Sequence, residues 1–220
     1  MDAFIVILKA WQTLAGGLLT LAGGGFIWHQ TRTNIRLSVN RRKAQFDAAA
    51  ATLPLTIDGI IDWADSTARK IYDMHAACNS ASSVPRNARR VSWDTLPNQN
   101  IEELRKSIEF SDSAEFRRYC SNLISKLQVC RARLRSIEPV SRKYRVLIRT
   151  DLEVYLFDIV EIRMLAEHML GFARREEVTF NPKPDWDRLT TQMLILGLDD
   201  SEFPWLAVQI KAAIEKHSDS

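Results

Sequence analysis

Residues 10–31, AWQTLAGGLLTLAGGGFIWHQT, decide the fold prediction because they contain no formal charge. A run of basic residues follows them directly: Arg32, Arg36, Arg41, Arg42 and Lys43. About 20 apolar residues, at about 1.5 Å each, span the roughly 30 Å hydrocarbon layer of a bilayer. Basic residues on one flank mark the cytoplasmic side. The sequence therefore predicts a single pass through the inner (cytoplasmic) membrane, with a short N-terminus outside and the rest of the chain in the cytoplasm.

Two alternatives compete with a spanning helix. A cleaved signal peptide needs a basic start and a shorter apolar core, whereas this chain begins Met-Asp-Ala, Lys9 lies inside the apolar stretch, and the span is long. A helix lying flat in the membrane interface would show a charged face, which residues 10–31 lack. Trp11 and Trp28 are suitably placed as interfacial anchors. We therefore favour the spanning interpretation.

The glycines of the anchor suggest a packing face. Gly16, Thr20 and Gly24 follow the small-xxx-small spacing that lets two membrane helices approach closely. The alternative is that glycine is simply tolerated in membrane helices. The first interpretation predicts a homo-oligomer formed through this face.

The basic run should contact the bilayer surface. Each Lys or Arg beside an anionic leaflet contributes about 1 kcal/mol, so Arg32, Arg36, Arg41, Arg42 and Lys43 are predicted contacts for anionic lipid. The sequence thus divides into an N-terminal tail with anchor (1–31), a basic juxtamembrane helix (32–53) and a cytoplasmic domain (54–220). Pro54 is expected to kink or restart the helix at the last boundary, because it cannot donate a backbone hydrogen bond.

The remaining chain has a helical pattern throughout. Apolar residues recur at a spacing of three or four, and alternating runs are absent. We predict helices at about 34–51, 55–78, 101–109, 113–135, 140–175, 185–196 and 200–217. The helix at 140–175 is apolar around most of its circumference and should be central, and Gly197 should end the helix before it. The fold class is all-α: one N-terminal transmembrane helix followed by a cytoplasmic bundle of about six helices.

Composition excludes some classes of protein. The 220 residues carry a formal net charge of only +3, so the whole chain is not a polycation that would seek nucleic acid. Its three cysteines, Cys78, Cys120 and Cys130, are odd in number and without paired spacing. That pattern indicates reduced thiols in a cytosolic compartment and not a disulfide scaffold.

Cysteine and histidine do not form a recognisable site in the sequence. Cys120 and Cys130 lie on the apolar stripe of one predicted helix, where cysteine usually acts as a small hydrophobic residue. His75 and Cys78 share a helix face and could supply two metal ligands, but a site needs three or four. We therefore expect core positions for these residues and predict no cofactor.

Acidic residues form a strip on the predicted central helix. Asp151, Asp158 and Glu161 follow one another along it, and His168 lies seven residues after Glu161. Paired carboxylates can perform acid–base chemistry when burial raises the pKa of one of them. The alternative, which we favour, is a solvated or salt-bridged face paired with arginines of a neighbouring helix.

A second basic group is predicted near the turn between the two long helices and in the polar connection 79–100. Its members, the predicted partner surface, are Arg86, Arg89, Arg90, Arg131, Arg133, Arg135, Arg142, Lys143 and Arg145. Such a cluster fits a phosphate-rich partner, but aromatic residues that stack on bases and a glycine-rich phosphate loop are missing. A solvated helix end or contact with the membrane surface is the favoured interpretation, and the sequence gives no support for a nucleic-acid partner.

The overall layout resembles a group of bacterial single-pass membrane proteins that have a helical cytoplasmic region and no assigned activity. Besides the anchor and its basic tail, the resemblance depends on short stretches along the chain: AATLPL (50–55), LQVCRARL (127–134), DLEVY (151–155), FARRE (172–176), WD (186–187) and LGLDD (196–200). The resemblance implies the all-α architecture and a bacterial inner membrane. It implies no activity and no functional residues.

The sequence favours a membrane-tethered helical interaction or scaffold module that binds an unidentified protein partner. One alternative is a membrane effector or regulator of a bacterial stress or anti-phage system, in which clustering of the glycine-rich anchor perturbs the bilayer. A third is an enzyme acting through Asp158, Glu161 and His168.

Overall fold

The structure is a computed structural model that describes residues 2–78, 83–85, 88, 91–94, 98–137 and 147–218, without the side chains of 2–10, 12–15, 18–20 and 22. Within this part of the chain, seven helices and one isolated bridge between Ser83 and Ile148 make up the secondary structure. The helices are α1 (Asp2–Ala76), α2 (Asn98–Phe110), α3 (Ala114–Arg135), α4 (Arg149–His168), α5 (Leu170–Ala173), α6 (Arg188–Ile195) and α7 (Pro204–Ser218). The all-α prediction is confirmed.

The chain divides into two compact units. The first unit is Met1–Gln45, whose described residues belong to α1, and the second, Phe46–Ser220, contains the end of α1 and all the other helices. In the first unit every residue with a described side chain is exposed. Among the residues that the structure describes, no helix has the length and apolar character needed to cross a membrane.

α1 continues through Pro54, so the predicted break between two helices at this residue is wrong. Proline inside a helix costs about 3 kcal/mol, because one hydrogen bond is lost and the ring crowds the preceding turn. Leu53 and Ile57, on either side, are almost fully buried in the core of the second unit. Burying such side chains contributes about 1.5–3 kcal/mol each, which is enough to offset the cost of the proline.

α4 is the central helix of the second unit, as predicted. It contacts α3, α5, α6 and α7, and Leu152, Val160, Ile162 and Leu165 are almost fully buried on different sides of it. Because a helix that is apolar on several sides needs neighbours on each of them, the other elements pack around α4.

The predicted start of this helix near residue 140 is wrong, and residues 138–146 lie outside the described part of the chain. α4 begins at Arg149. Immediately before it, the Leu147 carbonyl accepts a hydrogen bond of 2.8 Å from the Val84 amide. The Ile148 amide donates to the Asp151 carboxylate at 3.1 Å, a side-chain contact that caps a helix start.

Several helix ends follow the local sequence. The Ser113 hydroxyl accepts a hydrogen bond of 3.2 Å from the Phe116 amide, so Ser113 caps α3. Gly197, with φ of +71°, follows the end of α6. Glycine populates this left-handed region without the penalty that a Cβ imposes. The predicted role of Gly197 is confirmed.

The starts of the last two helices are later than predicted. α6 begins at Arg188 and not at Asp185. α7 begins at Pro204 and not at residue 200 or 201, because the Asp199 carboxylate accepts a hydrogen bond of 2.7 Å from the Ser201 amide and forms a turn there. Proline is favoured in the first turn of a helix, where its missing amide hydrogen bond is not needed.

Candidate functional site

Two adjoining cavities lie along α3 in the second unit, and we call them together the α3 furrow. The charged cavity, of about 300 Å³, is lined by Asn122, Ser125, Lys126, Val129, Arg133, Asp158 and Glu161. The apolar cavity, of about 540 Å³, is lined by Glu115, Arg118, Tyr119, Asn122, Leu165, Pro182, Lys183, Pro184 and Trp186. Asn122 belongs to both.

Helical periodicity explains why these residues meet. The residues of α3 in the furrow, from Glu115 to Arg133, follow the repeat i, i+3, i+4, i+7, and residues with this spacing share one helix face. In α4, Asp158, Glu161 and Leu165 have the same spacing. The furrow is therefore formed by one face of α3 and one face of α4, with the segment 182–186 completing the apolar cavity.

Two ion pairs lie in the charged cavity. The Arg133 guanidinium is 2.5 Å from an Asp158 carboxylate oxygen, and the Lys126 ammonium is 2.7 Å from a Glu161 carboxylate oxygen. Burial raises the pKa of Asp158 above its ordinary value, although the Arg133 guanidinium opposes this change. The preferred interpretation, a salt-bridged face paired with a neighbouring helix, is confirmed for Asp158 and Glu161, whose partners are an arginine and a lysine, whereas Asp151 accepts a hydrogen bond from the Ile148 amide.

His168 lies in different surroundings from the two carboxylates. Its Nε2 is 2.9 Å from the Asn181 carbonyl oxygen, and its ring packs against Tyr119 and Phe180. It is not among the residues that line the charged cavity. The three residues proposed for acid–base chemistry are therefore not assembled around one cavity.

The helical walls of the apolar cavity are held together by Tyr119 of α3. Its hydroxyl donates a hydrogen bond of 2.9 Å to the Leu165 carbonyl oxygen of α4, and burial raises the pKa of this phenol above its ordinary value. The Tyr119 ring also packs at 5.0 Å from the Phe180 ring. These contacts fix the distance between the two helices on either side of the cavity.

The third wall, segment 182–186, is fixed at both of its ends. At the first, the Asn181 carbonyl contacts His168 as described, and the Asn181 side chain accepts a hydrogen bond of 3.0 Å from the Lys183 amide. At the other, the Trp186 ring stacks on His217 of α7, with 3.8 Å between ring centroids and 5° between planes. Two prolines restrict the backbone in between. The apolar cavity is thus preformed.

The predicted partner surface is described only in part. Arg86, Arg89, Arg90, Arg142, Lys143 and Arg145 lie outside the described residues. Of the rest, Arg133 pairs with Asp158, Arg131 donates to the Asn98 side chain at 3.4 Å, and Arg135 is exposed at the end of α3. The described members therefore belong to one end of α3, next to the charged cavity.

Part of the polar connection 79–100, which contains some of the predicted partner surface, packs on α1. The Trp63 indole donates to the Asp94 carbonyl at 2.9 Å. The Lys70 ammonium is 2.7 Å from the Asp94 carboxylate and donates to the Ser92 carbonyl at 2.8 Å. Hydrogen bonds and an ion pair thus hold residues 91–94 against α1. The connection ends at Asn98, where α2 begins three residues earlier than predicted.

The predicted anchor face is open where the structure describes it. Apart from its chain neighbours and the nearby backbone of α1, a Cβ added to Gly16 or Gly24 would meet no atom within 4 Å, and the Thr20 side chain lies outside the described part of the chain. The predicted lipid contacts Arg32, Arg36, Arg41, Arg42 and Lys43 are all exposed on α1.

The structure contains a buried polar cluster that the sequence analysis missed. Arg163 of α4 is 2.7 Å from the Asp65 carboxylate of α1 and also donates to the Gln192 side chain of α6. Gln192 in turn donates to Glu167. The sequence signal for this cluster was Arg163 itself, a charged residue in the middle of the apolar sequence of α4. If that position is buried, the arginine needs polar partners.

A second buried cluster surrounds His75, whose predicted core position is confirmed. Its Nε2 accepts a hydrogen bond of 2.7 Å from Arg149 and lies 3.8 Å from a Glu153 oxygen. Its ring stacks on Phe203 at 4.2 Å. Burial and, to a smaller extent, the Arg149 guanidinium lower the pKa of His75 to about 4. The histidine is therefore neutral at physiological pH and serves as a hydrogen-bond acceptor.

The cysteines behave as predicted for core residues. Cys78, Cys120 and Cys130 are buried, and burial raises the thiol pKa of both Cys120 and Cys130. Since the thiolate is the reactive form, neither thiol is activated. In the described ranges, no group of three His, Cys, Asp or Glu residues could hold a metal ion.

The α3 furrow thus combines a charged cavity with an apolar one, and its shape and charge fit a ligand. Comparison with known proteins adds no further information, since no family model, curated protein or solved structure matches the chain.

Proposed function

We propose that the protein is a membrane-tethered helical interaction module. Residues 10–31 of α1 would hold it in the inner membrane, with the N-terminus outside, and the bundle would bind a protein partner in the cytoplasm. The observation that carries the proposal is a set of large apolar side chains on α1, each 63–76% exposed: Trp11, Leu21, Phe26, Ile27 and Trp28.

The arrangement of these side chains favours lipid over a protein groove. Successive residues of a helix are rotated by about 100°, so Leu21, Phe26 and Ile27 project to three different sides of α1. A protein groove covers one face of a helix, whereas lipid surrounds all of it. Covering each side chain is worth about 1.5–3 kcal/mol. A bilayer is therefore the environment that suits this segment, in which residues 10–31 carry no formal charge.

The basic flank supports the proposed orientation. The Arg32 guanidinium lies 5.3 Å from the centre of the Trp28 ring, a cation–π contact. Tryptophan and arginine are both typical of the membrane interface. Five basic residues from Arg32 to Lys43 follow without an acidic residue among them, and at about 1 kcal/mol each they would hold this end at an anionic cytoplasmic leaflet.

The bundle is the part that we assign to partner binding. It has its own core around α4, and the cations at the end of α3 include the exposed Arg135. A module of this kind should retain its partner when residues 1–31 are replaced by an unrelated membrane anchor. An effector that acts by clustering its own anchor should instead lose its effect and should be recovered only as a homo-oligomer.

Charge placed in the anchor tests the tether. In the variant Phe26→Lys with Ile27→Lys, each lysine lies inside the uncharged segment, about 8–10 Å from its centre, and costs up to about 2.5–3.5 kcal/mol, which is the value at the centre of a membrane helix. The matched control is Leu194→Lys with Val208→Lys, because these two residues of the bundle are similarly exposed, at 65% and 60%. The readout is the share of each protein that sediments with membranes after an alkaline carbonate wash.

We expect the wild type and the control to remain with the membranes and the Phe26/Ile27 variant to move to the supernatant. The proposal fails if the wild type is soluble without detergent. It also fails if the Phe26/Ile27 variant fractionates like the control.

A further inference from the structure

We infer that the apolar cavity of the α3 furrow binds a small amphipathic anion: an aromatic ring system or short acyl chain that carries one carboxylate, sulfonate or phosphate group. The cavity belongs to the unit Phe46–Ser220. The inference therefore does not depend on the membrane anchor, and its test can fail without affecting the proposed tether.

The cavity has the size and the walls of a small-molecule site. Its volume of about 540 Å³ lies within the range of about 300–1,000 Å³ that is usual for such sites. Tyr119, Leu165 and Trp186, with the rings of Pro182 and Pro184, supply apolar and aromatic surface from three directions. An apolar ring or chain would bury its surface against these residues.

The charges around the cavity select an anion. Arg118 comes from α3 and Lys183 from the opposite wall, and neither forms an ion pair with a described residue. Glu115 is the one carboxylate among the lining residues, so the lining carries a net charge of +1. A ligand with a single negative group complements this charge, and the Asn122 amide can donate a further hydrogen bond.

The neighbouring charged cavity is less suited to the same ligand. Its cations Lys126 and Arg133 already pair with Glu161 and Asp158, and an incoming anion would have to displace a carboxylate. It is also smaller, at about 300 Å³. In the apolar cavity, by contrast, two cations without an ion pair to a described residue lie beside apolar walls.

Preorganisation favours binding there. The Tyr119–Leu165 hydrogen bond fixes α3 against α4, the Asn181 contacts fix one end of segment 182–186, and the Trp186–His217 stack fixes the other. Because the walls are already ordered, a ligand would not have to order them, and that lowers the entropic cost of binding.

The test is calorimetric titration of the full chain in detergent with two probes that share one ring system. Naphthalenesulfonate carries the negative group and naphthalenemethanol does not, and titration into empty micelles gives the blank. The variants are Arg118→Gln, Lys183→Gln and Asn122→Trp, which fills the cavity from an exposed position. Lys211→Gln is the matched control, since Lys211 is an exposed lysine of α7 outside the cavity.

We expect saturable binding of naphthalenesulfonate at one site. Losing one contact with the anion should weaken binding about fivefold in Arg118→Gln and in Lys183→Gln, and naphthalenemethanol should bind about fivefold more weakly than naphthalenesulfonate. Asn122→Trp should abolish binding, and Lys211→Gln should match the wild type.

Three results would overturn the inference. They are no saturable binding, equal affinity of the two probes, or charge variants that behave like Lys211→Gln. If Asn122→Trp proves unstable in thermal unfolding, the two charge variants decide the question, because Arg118 and Lys183 are exposed and their removal leaves the core intact.

Discussion

Removal of Arg163 should destabilise the bundle more than removal of any exposed arginine. This residue of α4 is 8% exposed, and it joins α1 and α6 through Asp65 and Gln192. In Arg163→Ala, the Asp65 carboxylate loses a partner at 2.7 Å and the Gln192 carbonyl loses its donor.

The expected cost follows from the burial of these partners. Breaking a buried ion pair usually costs about 3–5 kcal/mol. The Asp65 side chain retains 29% exposure, so water can solvate part of its charge, whereas Gln192 is only 1% exposed and cannot find a substitute donor in solvent. We therefore expect a loss of about 3–4 kcal/mol in the free energy of unfolding. At about 2–4 °C per kcal/mol for a unit of this size, the melting temperature should fall by about 6–16 °C.

The assay is thermal and urea unfolding of the full chain in detergent, followed by tryptophan fluorescence and circular dichroism. Arg105→Ala is the control, because the Arg105–Glu102 pair is exposed on α2 and should contribute only about 0.2–1 kcal/mol. In the double variant with Gln192→Ala, the two losses should be less than additive, since both remove the same hydrogen bond. Equal losses in Arg163→Ala and Arg105→Ala would refute the assigned role of the cluster.

Three further predictions concern pH, a helix end and the anchor. The pKa of His75 is lowered from 6.5 to about 4 by burial and by Arg149. The unfolded state therefore binds the proton more tightly than the folded state does. The free energy of unfolding should keep its full value above pH 6.5 and should fall as the pH drops to about 4. His75→Gln should remove this dependence in urea titrations at several pH values, and an unchanged pH profile would contradict it. Gly197→Ala should lower the free energy of unfolding by about 1 kcal/mol in thermal unfolding, because φ at this position is +71°. An unchanged free energy of unfolding would show that the left-handed turn is not required. Gly16→Leu with Gly24→Leu should reduce any self-association in detergent, measured by light scattering, since the bulky side chains block close approach; an unchanged molecular mass would exclude this face.

Features set by neighbouring residues could be predicted from the sequence. The spacing of apolar residues predicted the buried face of α3, and the apolar character of α4 predicted its central position. Ser113 and Gly197 indicated a helix start and a helix end through their own conformational preferences. Even the pairing of Asp158 and Glu161 with cations of another helix was accessible, because carboxylates on a helix that is buried on most sides need nearby positive charge.

Features that depend on distant residues could not be predicted in this way. α1 continues through Pro54 because Leu53 and Ile57 are buried by the rest of the bundle, which the local sequence does not show. The Arg163 cluster joins three helices, and its hydrogen-bond partners Asp65 and Gln192 are 98 and 29 residues away along the chain. The apolar cavity likewise forms only when segment 182–186 packs beside α3 and α4. Tertiary packing decided all three.

The most direct test of the proposed membrane tether is labelling of single introduced cysteines in spheroplasts with a membrane-impermeant maleimide. Ala3→Cys lies before the uncharged segment, and Ser218→Cys lies at the end of α7. The native cysteines are buried and should contribute little background. A single pass with the N-terminus outside predicts that Ala3→Cys is labelled in intact spheroplasts and Ser218→Cys only after permeabilisation. Labelling of both positions only after permeabilisation would contradict the tether in the form proposed.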